Sequence, residues 1–245
     1  MTPLERFKLN VAEVDRLVNF DREVLQIAIS AVDTLHEQLK ERFADERLNG
    51  RRALQLIKGI RDNDTVRIKY KAIYNQAVVL LVSHFASALG DAFREAVTLR
   101  LASKDPGKLL EEEFKLTVSE LREREWTLKG AVPDLLIAKY DFTFQDMGAT
   151  ARAFQTYTNL TTPRGECMNN IIAAQACRHV IVHSGGRVSE RTLRQVARAN
   201  PRTLKQVLQI DALVSFELEE LDLLKSSMVQ FIQLLSESSG DTSAI

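Results

Sequence analysis

The chain has 245 residues, of which 45% are hydrophobic and 27% charged, and its 33 basic side chains balance its 33 acidic ones. This length and composition are ordinary for a globular protein with a sizeable core, in one large domain or two small ones. The zero net charge gives no sign of a polyanionic partner, although a local basic patch can exist in a neutral chain.

The two cysteines, Cys167 and Cys177, lie on one predicted helix, where their spacing separates them by about 15 Å and excludes a disulfide between them. We therefore expect reduced thiols in a cytoplasmic protein. The first ten residues include the acidic Glu5 and no apolar run, so a signal peptide is not expected. The longest uninterrupted apolar stretch, 77–82, is too short to cross a bilayer, so no membrane partner is expected.

Five prolines, ten glycines and the absence of two-residue alternation predict an all-α fold. We expect an elongated bundle of helices with a long central helix and a long C-terminal helix. The bundle would form a single domain over 1–237, in which the N-terminal helices of 1–60 could pack as a subdomain. The polar residues 238–245 are expected to be a disordered tail.

Apolar stripes, caps and breakers predict the elements in chain order. The predicted helices cover 3–19, 21–43, 52–60, 65–103, 109–125, 133–140, a segment from Thr143 or Asp146 to 158, the segment from Gly165 to His183, 189–198 and 203–236. The helix over 65–103 is apolar all round at 77–82, so we expect it to be the central post. The segments 44–51 and 126–132 are predicted to be irregular, and glutamates 111–113 are interpreted as a solvated helix start rather than a metal site.

The segment 165–186, GECMNNIIAAQACRHVIVHSGG, contains the main candidate functional side chains of the chain. It is predicted to be a buried apolar helix that carries Arg178, His179 and His183. Two consecutive glycines follow, and glycine is the commonest residue just past a helix end because it accepts a left-handed backbone. His183 therefore belongs to the last turn, where the negative end of the helix dipole favours an imidazolium ion.

Arg178 and His183 are five residues apart, which places their side chains about 140° apart around an ideal helix. One straight helix does not bring the two groups together. They would meet at a common ligand if the last turn loosens, or if two copies of the helix pack together and share a cleft.

The hexapeptide 178–183, RHVIVH, resembles the R-polar-x-x-x-H signature of the HEPN superfamily, and residues 184–186, SGG, are similar to the usual continuation of that signature. Two further stretches, 76–94 and 142–154, resemble the central helix and a preceding segment of the RiboL-PSP branch of this superfamily. The resemblance covers roughly residues 65–200, and the hexapeptide is its most specific part.

The resemblance implies metal-independent endoribonuclease activity, of the kind found in toxin, antiviral and RNA-processing systems. It also implies RNA as substrate, no cofactor, and an antitoxin or defence protein as a further partner. A homodimer formed through the motif helix is expected because it would bring the divergent Arg178 and His183 of two copies together. Arg178 would clamp the scissile phosphate, His183 would be the general base or acid, and His179 would orient or contact the RNA backbone. Asn170 and Gln175, which precede the arginine, would be supporting polar groups.

A basic segment follows the motif directly. Arg191, Arg194 and Arg198 share one face of the predicted helix over 189–198, and Arg187 precedes it. Arg164 lies in the loop before the motif helix. These arginines are candidate contacts for RNA phosphates, and an ordinary solvated surface is the alternative interpretation.

Two classes of function remain open from the sequence. In the first, the protein is an endoribonuclease whose RNA substrate supplies its own 2′-hydroxyl nucleophile. In the second, it is a non-catalytic helical module that binds a protein or a nucleic acid, with Arg178 and His183 as hydrogen-bonded groups that fix a dimer. The spacing of His179 and His183 also occurs in metal sites, but no HExxH pattern or third ligand accompanies it, so we expect no metal.

Overall fold

The computed structural model describes residues 1–45, 49–62, 71–128 and 130–241. These residues form nine α-helices and no β-strand, which confirms the all-α prediction. The helices are α1 (Pro3–Leu39), α2 (Arg51–Asp62), α3 (Lys71–Ala102), α4 (Val118–Glu123), α5 (Val132–Tyr140), α6 (Met147–Thr158), α7 (Glu166–His183), α8 (Glu190–Ala197) and α9 (Leu218–Asp241).

Helix α3 is the central post of the bundle, as predicted. It packs against α1, α5, α6, α7 and α9. Phe85 of this helix is fully buried between Phe7 of α1 and Phe231 of α9, and both ring pairs meet edge to face with centroids 5.8 Å apart. Residues Ala72–Ala102 are long and apolar enough to span a bilayer by length and composition alone, a test that the core helix of a globular bundle also passes.

Helix α1 is continuous, so the predicted break between 19 and 21 is wrong. Asn19 lies inside the helix, and its side-chain amide donates to the backbone carbonyl of Asp15 one turn earlier, at 2.9 Å. Asp21 lies inside the helix rather than at a cap. The helix starts where a capping box forms between Thr2 and Glu5.

The two halves of α1 have different surroundings. The first half buries Phe7, Val14 and Val18 in the main core, whereas the second half forms a hairpin with α2. The apolar stripe predicted over 21–43 is largely exposed, with Ile27 at 70%. The predicted connection over 44–51, the turn after α2 and the predicted helix start at 65–70 lie partly or wholly outside the described residues.

The predicted helix over 109–125 is wrong. The chain forms a 3₁₀ turn at Gly107–Glu111, is extended at Glu112, and regains helical structure only in α4, which Thr117 caps. The carboxylate of Glu112 accepts hydrogen bonds from Lys139, Tyr140 and Tyr157, so it is an anchor between segments rather than part of a solvated helix start. These tertiary hydrogen bonds hold the backbone away from a helix.

The first part of the predicted helix over 203–236 is also wrong, because α9 begins only at Leu218. Side chains from distant helices satisfy the backbone of the loop before it. Asn170 accepts from the backbone N–H groups of Thr203 and Leu204, at 3.0 and 2.9 Å. Asn75 donates to the carbonyl of residue 214 and accepts from the N–H of residue 216. The helix continues to Asp241, into the predicted tail, and 242–245 lie outside the described part of the chain.

The helices around the motif segment lie close to their predicted positions. Asp146, rather than Thr143, caps α6 by accepting from the N–H of Ala149 at 2.6 Å. Cys167 and Cys177 of α7 are both free thiols, as expected. Burial raises the pKa of Cys177 to about 12, which keeps this thiol protonated and inert.

Candidate nucleic-acid site at the end of helix α7

Helix α7 holds the motif residues against the centre of the bundle. It packs against α3, α8 and α9, and it buries Ile171, Ala174 and Cys177 completely. The helix ends at His183, and Gly185 and Gly186 follow with φ values of 58° and 78°. Glycine is needed at these two positions because other residues rarely adopt a left-handed backbone. The predicted glycine stop is therefore confirmed.

Arg178 lies half-buried near the end of α7, and its Nε–H is buried without a hydrogen-bond partner. Among the residues that the structure describes, no carboxylate forms an ion pair with it. Gln175, one turn earlier, accepts from the backbone N–H of Met147 at 3.3 Å, but its Nε2 group is also buried and unpartnered. Residues three apart are neighbours on a helix surface. Buried donors without acceptors are costly, and each of these two lacks one.

His179 and His183 are exposed, and their ring centroids lie 4.9 Å apart on one face of the helix. The pKa of His179 lies below its ordinary value of 6.5, first because of partial burial and then because His183, Arg191 and Arg178 repel its charged form. Cationic groups thus surround this imidazole. Such a cluster favours an anionic ligand, because the anion would relieve the repulsion.

The lowered pKa of His179 gives a measurable expectation. In NMR titrations of the ring protons, His179 should titrate below pH 6.5, and Arg191→Ala should raise its midpoint because one repelling charge is removed. Millimolar phosphate should raise the midpoint as well, so phosphate should bind more tightly as the pH falls through this range. Arg52→Ala, which changes an exposed arginine on α2, is the matched control. A midpoint at or above 6.5, unmoved by Arg191→Ala, would contradict the clustering of charge.

The basic patch predicted next to the motif lies on the outer side of α8 and in the turn before it. Helix α8 buries Thr192 and Val196, which leaves the opposite face to solvent. All four predicted arginines of this patch are exposed: Arg187, Arg191, Arg194 and Arg198. Arg187 donates to the carbonyl of Asp211 at 2.8 Å, and Arg194 lies 3.8 Å from Glu190. Neither Arg191 nor Arg198 has an ion pair within the described ranges, so both charges are available to a ligand.

Two predicted site residues lie apart from this cluster. Arg164 is exposed but precedes the first residue of α7, so the length of the 18-residue helix places it about 25 Å from His183. Asn170 is buried, and its side chain is fully used by the fold: it donates to Ser227 at 3.2 Å and accepts from the backbone at 203 and 204. Asn170 and Arg164 therefore do not support Arg178, and Gln175, three residues before it on the same helix, is the remaining predicted polar group.

An apolar surface that the sequence analysis missed adjoins the last turn of α7. Leu213 pairs with Arg187 in an isolated antiparallel bridge and lies against Gly186. Leu213 is 64% exposed, and Val182 on α7 is 45% exposed. The missed signal was the run of apolar residues in 207–214, which has helical spacing and was interpreted as part of a long helix. Exposed apolar groups beside a charged cluster are typical of an interaction surface.

Within the described residues, no group of three or more His, Cys, Asp or Glu side chains is placed to hold a metal ion. Comparison of the chain with models of protein families, with curated proteins and with solved structures finds no match. The functional interpretation of this site therefore depends on its residues and their geometry.

Proposed function

We propose that the protein is a metal-independent endoribonuclease of the HEPN type. The observation that carries the proposal is the unpartnered Nε of the half-buried Arg178, in a helix end that also presents two exposed imidazoles, with Gln175 Nε2 as a second unpartnered donor one turn earlier. A phosphate oxygen is an acceptor that would satisfy such donors, and a guanidinium forms strong bonds to phosphate. The unpaired Arg191 and Arg198 extend this positive surface along α8, where an RNA backbone would lie.

The chemistry needs only groups that the chain supplies. The 2′-oxygen of RNA attacks the adjacent phosphorus, a bond forms between them, and the bond from phosphorus to the 5′-oxygen breaks. An imidazole accepts the proton of the 2′-hydroxyl, and an imidazolium donates a proton to the departing 5′-oxygen. Arg178 stabilises the charge that develops on the non-bridging oxygens. The products are a 2′,3′-cyclic phosphate and a 5′-hydroxyl.

The site is proposed to be shared by two copies of the chain. On an ideal helix Arg178 and His183 point about 140° apart, so one copy does not direct both at one phosphate. The exposed Val182 and Leu213 beside them form an apolar surface that suits a second α7. In a two-fold dimer, Arg178 of one copy would face His183 of the other, and two equivalent clefts would result.

The family resemblance alone implies a role in a toxin and antitoxin pair or in antiviral defence, with an antitoxin or defence protein as partner. The proposed compartment, the cytoplasm, rests instead on the two free cysteines.

A second candidate function is a helical module that binds a protein or a nucleic acid without cutting it. This alternative is favoured because the side chain of Asn170 is already hydrogen-bonded within the fold. Only Gln175 then remains as a predicted polar support for Arg178, and its side chain is not acidic. The apolar surface at Val182 and Leu213 would equally suit a protein partner.

A cleavage assay in EDTA tests the proposal. The wild-type protein is expected to cut structured RNA and leave 2′,3′-cyclic phosphate ends. Arg178→Ala and His183→Ala should each lower the single-turnover rate by about 10²–10⁴-fold, because each removes either charge stabilisation or proton transfer. Mass spectrometry of the fragments identifies the ends.

Matched controls change the same residue types elsewhere. Arg52→Ala on α2 and His84→Ala on α3 should leave the rate unchanged, and circular dichroism should show intact helices in every variant. Cleavage that persists in both motif variants, or that stops on addition of EDTA, would contradict the proposal. RNA binding without cleavage would support the non-catalytic alternative.

A further inference from the structure

A concave site separate from the motif residues lies between the end of α5, the segment that follows it, and α6. Its volume is about 310 Å³. Four aromatic side chains line it: Tyr140, Phe142, Phe144 and Tyr157. Ligand pockets commonly range from about 300 to 1,000 Å³ and combine apolar walls with a few polar groups. A volume at the lower end of this range suits one ring system rather than a long chain.

The aromatic walls are held in place by the fold itself. The hydroxyls of Tyr140 and Tyr157 both donate to the carboxylate of Glu112, at 2.9 and 3.0 Å. The ring of Tyr140 stacks on Phe142 with centroids 5.5 Å apart and planes 21° apart. Phe144 is buried against Phe93. Because the rings are already fixed, a flat ligand would enter with little loss of side-chain freedom.

The cavity is lined by charged side chains of both signs: Asp141, Asp146 and Arg152. Asp146 caps α6, whereas the side chains of Asp141 and Arg152 form no hydrogen bond or ion pair with any residue in the described part of the chain. Phe144 also has a positive φ of 56°, a backbone conformation that is disfavoured for a bulky residue and is concentrated at functional sites.

We propose that this cavity binds a guanine base of the RNA. The aromatic rings would stack on the base, as aromatic side chains do on unpaired RNA bases. The Asp141 carboxylate would accept from guanine N1–H and the N2 amino group, and the Arg152 guanidinium would donate to O6 and N7. Adenine presents an unprotonated N1 where the carboxylate needs a donor. An organic cation would be attracted by Asp141 and Asp146 and repelled by Arg152, so it is the competing ligand that the experiment includes.

This inference deepens the proposed ribonuclease activity, since it names the base that the enzyme would recognise. It rests on that function for its biological role, but the binding itself is independent of cleavage. Isothermal titration calorimetry with the four 5′-mononucleotides and the full chain therefore tests it directly. GMP is expected to bind at least about tenfold more tightly than AMP, CMP or UMP.

Two variants probe the two parts of the site. Phe142→Ala should weaken GMP binding by about tenfold or more, because a stacking surface is lost. Asp141→Asn should remove most of the preference over AMP, because an amide both donates and accepts. Asp141 is exposed, so this variant keeps the test valid even if Phe142→Ala does not fold. Phe20→Ala and Asp33→Asn, both on the exposed side of α1, are matched controls and should bind GMP like the wild type.

Each other outcome has a defined meaning. Absence of GMP binding at millimolar concentration, equal binding of all four nucleotides, or tetramethylammonium binding in place of GMP would overturn the inference. GMP binding that Asp141→Asn and Phe142→Ala leave unchanged would overturn it too. If the wild type cuts RNA in EDTA but does not bind GMP, the guanine-binding inference is wrong and the proposed ribonuclease activity is supported. If GMP binds with the expected preference but no RNA is cut, the guanine-binding inference is supported and the proposed ribonuclease activity is wrong.

Discussion

Replacing Glu112 by alanine is expected to lower the free energy of unfolding by about 3 kcal/mol, because hydrogen bonds to a charged group contribute about 1.5–3 kcal/mol and several meet here. The carboxylate is only 11% exposed, and it accepts from Lys139 at 2.6 Å and from two tyrosine hydroxyls. Without it, the hydroxyl of the buried Tyr157 loses its acceptor. For a domain of this size the melting temperature should fall by about 6–12 °C.

Two further variants separate this effect from ordinary surface substitution. Tyr157→Phe removes one of the donors and should cost about 1.5 kcal/mol, the lower end of the range for a bond to a charged group. Glu111→Ala changes the neighbouring exposed glutamate and should stay within about 0.5 kcal/mol of the wild type. Urea unfolding followed by circular dichroism measures all three. A loss for Glu112→Ala no larger than that for Glu111→Ala would show that Glu112 is not an anchor.

The same carboxylate gives the stability a defined pH dependence. Burial alone would raise the pKa of Glu112, but the hydrogen bonds from Lys139, Tyr140 and Tyr157 together lower it below its ordinary value of 4.5. A carboxyl with a lowered pKa in the folded state binds fewer protons there than in the unfolded state. Its stabilisation is therefore complete above pH 4.5 and is lost as the pH falls through the lower, folded-state pKa. Glu112→Ala should remove this part of the acid sensitivity.

The helices that the sequence predicted well are those whose signals are local. The central position of α3 follows from the apolar run 77–82, and the end of α7 follows from Gly185 and Gly186. Asp146 and Ser189 are caps whose side chains bond to backbone only three residues away. Periodicity and caps are encoded within a few residues, so they can be interpreted without knowledge of the tertiary structure.

The predictions failed where distant side chains determine the backbone. The predicted helix over 109–125 does not form, and Glu112 instead accepts hydrogen bonds from residues 139, 140 and 157. The loop before α9 takes its hydrogen bonds from Asn75 and Asn170, more than 30 residues away. Apolar spacing in 203–217 is compatible with a helix, and only the partners across the bundle select the loop.

The candidate site also combines features that the local sequence predicts with features that depend on distant segments. Helical spacing predicts that His179 and His183 lie side by side, and their centroid distance of 4.9 Å confirms this. Neither the unpartnered Nε of Arg178 nor the exposed Leu213 beside the helix end could be predicted, because both depend on how separate segments pack. The same is true of the aromatic cavity near Glu112, whose walls come from three segments.

A subunit-mixing experiment distinguishes a shared site from a site within one chain. A heterodimer of Arg178→Ala and His183→Ala protomers can be purified by attaching a different affinity tag to each chain. In the shared arrangement, one cleft receives both substitutions and the other receives neither. In a site formed within one chain, each of the two sites carries one substitution and both are inactive.

Single-turnover RNA cleavage by that heterodimer in EDTA is the most direct measurement of the proposed mechanism. The two-fold arrangement predicts about half of the wild-type activity per dimer, whereas each variant homodimer should retain about 1% or less. A purified heterodimer as inactive as the homodimers, with wild-type dimers active under the same conditions, would contradict a phosphate held between Arg178 of one copy and His183 of the other.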